Sequence, residues 1–110
     1  MKMTRFDIRT IENYSELKAY AKKRGIKFIA KPAREMYGFA GLHQGDGKAW
    51  GINIGPKEIW IDKTIKGKYK YEIQRHEIEE NALWKQGQPI WKAHITATKH
   101  EKYNSKNWKK

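Results

Sequence analysis

In the C-terminal half of the chain, apolar positions recur at helical spacing in two adjacent stretches. Tyr69, Ile73, His76, Glu80 and Leu83 follow one another at alternating steps of four and three, which on a helix over 68–85 sets them along one inward-facing seam. Ile90, His94, Ala97 and Glu101 repeat a four-three-four step, so a second helix is predicted from about Pro89 to about Tyr103. Gly87 suits the left-handed residue that ends a helix and Pro89 the first turn of the next. The two segments should therefore form a short antiparallel helical hairpin.

The N-terminal half reads differently. Asn13 with Glu16 three residues on resembles a capping box, Leu17, Tyr20 and Ala21 supply an apolar face, and Gly25 supplies the stop, so a helix is predicted over 14–24. Lys18, Lys22, Lys23 and Arg24 keep its outer side basic. Lys27 to Ala30 is a strand candidate. Met36 to His43 and Lys48 to Ile54 flank Gln44-Gly45-Asp46-Gly47, a turn signal that predicts a β-hairpin, with Trp50, Ile52 and Ile54 alternating along its second strand. Glu58 to Asp62 follows Gly55-Pro56 as a further strand, and Trp50 and Trp60 are expected in the core. The order predicts an α+β fold with an N-terminal helix, a small antiparallel sheet and a C-terminal antiparallel helical hairpin. A single domain is expected over 1–103, with 104–110 a basic, disordered tail.

Each arm of the predicted hairpin carries one His and one Glu on its apolar stripe. A carboxylate aimed into an apolar seam is costly unless it is paired, hydrogen-bonded or bound to metal. Counted from the turn, Glu80 and His94 lie at nearly matching heights, and His76 and Glu101 lie within about 3 Å of one another along the axis at about 1.5 Å rise per residue. Ala97 leaves room between His94 and Glu101. Three or four of these side chains could reach one cation, and two imidazoles with two carboxylates balance a divalent ion and suit zinc, manganese or iron. Glu77, turned about 100° from His76, stands where a general base toward water would stand. The competing reading is solvated ion pairing with Arg75, Lys85, Lys92 and Lys99.

His76-Glu77-x-x-Glu80 resembles the His-Glu-x-x-His signature of zincin metallopeptidases, in which the first and fifth residues bind zinc and the second activates water. The fifth position departs from it. The longer string through Gly87, Ala93-His94, Ala97 and Glu101 resembles a signature of small phage and mobile-element proteins, His-Glu-x-x-Glu, a Gly turn, then Ala-His-x-x-Ala-x-x-x-Glu. It covers about a quarter of the chain. The resemblance implies a minimal zincin-like site with His76, Glu80 and His94 as metal ligands, Glu101 as a fourth ligand or supporting partner, and Glu77 as the base. It also implies an edge strand along the cleft that pairs with a peptide substrate's backbone.

Among 110 residues, 24 are basic and 12 acidic, a net charge of +12 that favours a polyanionic neighbour such as nucleic acid or an acidic protein surface. Lys and Ile richness also fits a hot or AT-rich source. There is no Cys, which excludes disulfides and thiolate metal sites. No apolar run approaches the roughly 20 residues that span a bilayer, and no apolar signal core follows Met1 to Arg5, so a soluble, intracellular protein without membrane contact is expected. Lys106, Trp108, Lys109 and Lys110 form a basic aromatic end that could contact nucleic acid, and Trp84 and Trp91 also adjoin lysines. His43, beside the turn, could approach the site but reads more readily as a solvated loop residue, and His100, off the stripe, as exposed. The Gly45-Asp46-Gly47 turn lacks the rest of a phosphate-binding loop.

Three function classes fit these patterns. The first is a small metal-dependent, peptidase-like hydrolase using zinc. The second is a basic nucleic-acid-binding protein whose stripe is a structural metal site or a hydrogen-bond network. The third is a metal-dependent nuclease.

Overall fold

The computed structural model describes residues 14–104, with side chains described through position 99. Helix α1 (Tyr14–Arg24) buries Leu17, Tyr20 and Ala21, the three residues expected on its apolar face. It stops at Gly25, whose φ of +70° suits a residue without Cβ. Asn13, the expected cap, lies outside the described residues. The chain continues as β1 (Lys27–Lys31), a short 3-10 turn (Ala33–Glu35), β2 (Gly41–Leu42), α2 (Gln44–Trp50), β3 (Glu58–Asp62), α3 (Gly67–Lys85) and α4 (Ile90–Asn104). The α+β class with an N-terminal helix, a small sheet and a C-terminal helical hairpin is therefore the observed architecture.

The sheet has the order β1-β3-β2 and is mixed. β3 runs parallel to β1, with Phe28 opposite Ile59 and Ala30 opposite Ile61, and antiparallel to β2, with Gly41 opposite Ile61 and Leu42 opposite Trp60. Ile59 and Ile61 point to one face of the central strand and pack with Leu17, Tyr20, Ala21, Ile73 and Ile78, which joins the sheet to α1 and α3. On the other face Trp60 is half-buried against a smaller cluster of Met36, Leu42 and Ile54, and its indole N–H donates to Glu58 Oε1 at 3.1 Å.

The predicted hairpin around Gln44 to Gly47 does not form; that segment is α2. His43 is its N-cap. Gly45 N–H donates to His43 Nδ1 at 3.0 Å while His43 N–H donates to Asp46 Oδ2 at 3.1 Å, a reciprocal capping box with His in the place usually held by Ser or Thr. The glycines serve packing, because a Cβ on Gly45 would lie 2.6 Å from His43 Cε1 and one on Gly47 would collide with the Ile52 carbonyl. Gly51, at φ +76°, ends the helix. Two expectations fall with the hairpin. Trp50 is 66% exposed on α2 instead of buried in a strand. And because α2 carries the chain across before β3 begins, β3 enters alongside β1 in the same direction, so the sheet is not wholly antiparallel.

The middle of helix α3 is enclosed on all sides, burying every residue from Ile73 to Asn81. Arg75 and Glu79 form a buried ion pair at 2.8 Å, so Arg75 serves Glu79 within the core and not as a solvated partner for the stripe. Tyr69, expected on the seam, is 53% exposed in the first turn. Its neighbour Tyr71 is the aromatic that packs, stacked on Tyr14 of α1 at 4.0 Å. Among the described residues no helix is long and apolar enough to cross a membrane.

Candidate metal centre

The turn between α3 and α4 forms as the glycine and proline require. Gly87, at φ +105°, donates to Trp84 O at 3.0 Å and Gln88 N–H donates to Leu83 O at 3.1 Å, the two bonds of a Schellman motif. Pro89 O then accepts from Lys92 N–H and Ala93 N–H to start α4. Ala93 and Ala97 are fully buried, so α4 lies close against α3. That closeness brings His94 over His76 and Glu80.

His76 Nε2 lies 2.9 Å from Glu80 Oε1, one helical turn on. His94 Nδ1 lies 3.4 Å from the same oxygen and 3.3 Å from His76 Nε2, with the two rings edge to face. For ligand bonds of about 2.0–2.1 Å, a tetrahedral zinc ion separates its ligand atoms by about 3.3 Å. Two of the three separations match that spacing, and the third, His76 Nε2 to Glu80 Oε1 at 2.9 Å, would open by a few tenths of an ångström around an ion. Two imidazoles and a carboxylate also suit a divalent transition metal chemically, so the donor set fits the group on both counts. His76 and Glu80 are buried, whereas the His94 side chain is 60% exposed and marks the open side. Glu101 falls in α4, but its side chain lies outside the described residues, as do those of His100, Lys106, Trp108, Lys109 and Lys110.

Glu77 is buried beside this trio. It faces a cleft of about 280 Å³ that His76 and His94 also line, and Phe39, Ala40 and Gly41 form its other wall. A carboxylate oxygen of Glu77 comes within 4.8 Å of one of Glu80. Gly41 is in close contact with it, since a Cβ there would lie 2.7 Å from Glu77 Cγ and 2.8 Å from Ile73 Cγ2. Only glycine lets the strand approach so near.

The residue that sequence reasoning missed is His43. Far from being a solvated loop residue, it is fully buried, with Nε2 3.3 Å from Glu80 Oε2 and 3.6 Å from Asp46 Oδ2. Its Nδ1 also lies 3.1 Å from Asn81 Oδ1. Because Nδ1 accepts the Gly45 N–H, the neutral ring carries its proton on Nε2, toward Glu80. A protonated nitrogen cannot ligate a metal, so the neighbouring His43, Glu77 and Glu80 group, though close enough for an ion, is better read as support for the first trio. Glu80 thus presents Oε1 to His76 and His94 and Oε2 to His43. The signal was available in the spacing His43-x-x-Asp46, a capping box in place of a turn.

The electrostatics follow this arrangement. Burial by itself would raise the Glu80 pKa, but the His43 and His76 imidazoles beside its two oxygens outweigh it and hold the carboxyl at about 2. Asp46 is raised above the ordinary carboxyl value, chiefly by burial and further by Glu80, against a lowering by His43. Glu80 is the fixed anion of the cluster.

Compared with protein-family models, with curated proteins and with solved structures, the chain matches none.

Proposed function

We propose that the chain is an intracellular metal-dependent hydrolase of zincin-like construction, acting on peptide bonds, with zinc held by His76, Glu80 and His94. The observation that carries this reading is the triangle of donor atoms at 2.9, 3.3 and 3.4 Å, opening on a cleft that also holds a buried carboxylate, Glu77. When bound, a divalent ion there would polarise a carbonyl and acidify a water. Glu77 would take the proton of that water on a carboxylate oxygen and return it to the departing amine nitrogen. Glu80 has His43 Nε2 at 3.3 Å from its far oxygen and turns its near oxygen to His76 and His94.

The sheet supplies a way to hold a peptide. β2 is an edge strand, and Phe39 to Gly41 line the same cleft as His76 and Glu77. An extended segment added along that edge would be read through its main chain and would pass the Glu77 carboxylate. The test is turnover of a pool of quenched fluorescent peptides by zinc-loaded protein. Metal-dependent cleavage that disappears in Glu77→Gln supports the reading, whereas zinc uptake with no cleavage of any peptide would leave a structural site and contradict it.

A further inference from the structure

The face of α3 turned away from His76 and Glu80 borders a second and larger cavity. Ile78, Asn81, Ala82 and Lys85 line it from α3, facing the end of α1 and the Pro56-Lys57 loop across a space of about 690 Å³. That volume lies in the range of ligand-binding clefts, roughly 300–1,000 Å³. Five of its lining residues are basic, namely Lys22, Lys23, Arg24, Lys57 and Lys85, and none is acidic.

Several of these cations are held in position. Lys57 Nζ donates to Arg24 O at 3.2 Å, and Lys85 Nζ donates to Pro56 O at 2.8 Å. The Arg24 guanidinium lies 3.9 Å from the centre of the Tyr20 ring. Burial, and then the charge of Lys57, lowers the Lys85 ammonium below the ordinary lysine value, so the cations already repel one another. An anion between them would relieve that repulsion, and Arg24, Lys57 and Lys85 would need little further ordering on binding.

We propose that this groove binds the phosphate backbone of single-stranded nucleic acid. Its cations are strung from a helix end to a loop and onto a second helix, and so match a repeating charge better than one compact anion. A concave slot admits one strand more readily than a wide duplex. The net charge of +12 adds attraction at long range. The groove is separate from the metal centre, and this assignment stands whether or not that centre is catalytic.

The test is fluorescence anisotropy of a labelled 15-mer of thymidylate across a range of potassium chloride concentrations, using the full chain. Each phosphate contact contributes about 0.7 to the slope of log affinity against log salt. The triple variant K22Q/K23Q/K57Q should flatten that slope by about 2 and weaken binding about ten-fold. The matched triple K63Q/K66Q/K68Q, which removes the same charge outside the groove, should change affinity less than about three-fold by loss of general attraction. K22R/K23R/K57R should keep wild-type binding, which separates a lost contact from a damaged fold. Equal losses in the two glutamine triples would overturn the proposal, as would no binding by the wild type. Displacement of the 15-mer by millimolar inorganic phosphate, or equally tight duplex binding through the same lysines, would also refute the single-strand assignment.

Discussion

Replacing His43 tests whether the centre is a supported network or a chance meeting of side chains. In His43→Ala, the first turn of α2 loses its cap, which costs about 1 kcal/mol. Glu80 Oε2 loses a buried polar neighbour at 3.3 Å, which adds about 1–3 kcal/mol. The total, about 2–4 kcal/mol, corresponds to a fall in Tm of about 8–16 °C at about 4 °C per kcal/mol for a domain of this size. Circular-dichroism melts of the metal-free protein measure it. His43→Asn keeps a capping side chain and should recover about 1 kcal/mol, but not the contact with Glu80. In a competition assay against a chromophoric chelator, both variants should bind zinc about 10–100-fold more weakly, the usual loss when an outer partner of a metal ligand is removed. A change in stability within about 0.5 kcal/mol, as at a surface position, would refute the reasoning. So would unaltered zinc affinity in both variants.

Three further outcomes are expected. Glu77→Gln should leave zinc affinity within a few-fold of wild type while hydrolysis drops by about 10² to 10⁴, and unchanged turnover in peptide assays would remove Glu77 from the role of base. Gly41→Ala forces a Cβ to within 2.7 Å of Glu77 Cγ, so it should cost about 1–3 kcal/mol in urea unfolding and depress turnover more than zinc binding; wild-type stability would mean that strand and base are not in contact. Glu80, held at about 2 against an ordinary 4.5, contributes stability that is complete above about pH 4.5 and is lost as pH falls toward 2. The stability gap between wild type and Glu80→Gln should narrow across that window in melts of the metal-free protein. A gap independent of pH would contradict the assignment. Asp46 acts with the opposite sign, because a raised carboxyl favours the fold at low pH and loses that contribution as it ionises.

Much of the C-terminal half was legible because local signals and tertiary needs agree there. The four-three spacing of Ile73, His76, Glu80 and Leu83, the Gly87 stop and the buried Ala93 and Ala97 all specify one hairpin, and the helices occur within a residue of the expected bounds. Tyr69 misleads because a periodic pattern does not say where the neighbouring element ends, and the first turn of α3 extends into solvent. The middle of the chain was harder. Gly45-Asp46-Gly47 carries turn chemistry in every residue, yet its glycines answer to the crowding of His43, Trp84 and Ile52, and Asp46 answers to a cap. That crowding is a property of the folded body, and the burial of His43 follows from it. The pairing of Glu79 with Arg75 likewise depends on the middle of α3 being enclosed all round, which a one-stripe pattern does not announce.

Zinc stoichiometry is the most direct measurement. Wild-type protein stripped with chelator, reloaded and dialysed should hold about one equivalent of zinc by elemental analysis, His76→Ala and Glu80→Ala should hold none, and Glu77→Gln should still hold one. Absence of zinc, manganese and iron uptake by the wild type, or a full equivalent retained by both His76→Ala and Glu80→Ala, would contradict the assignment of this cluster as a metal centre.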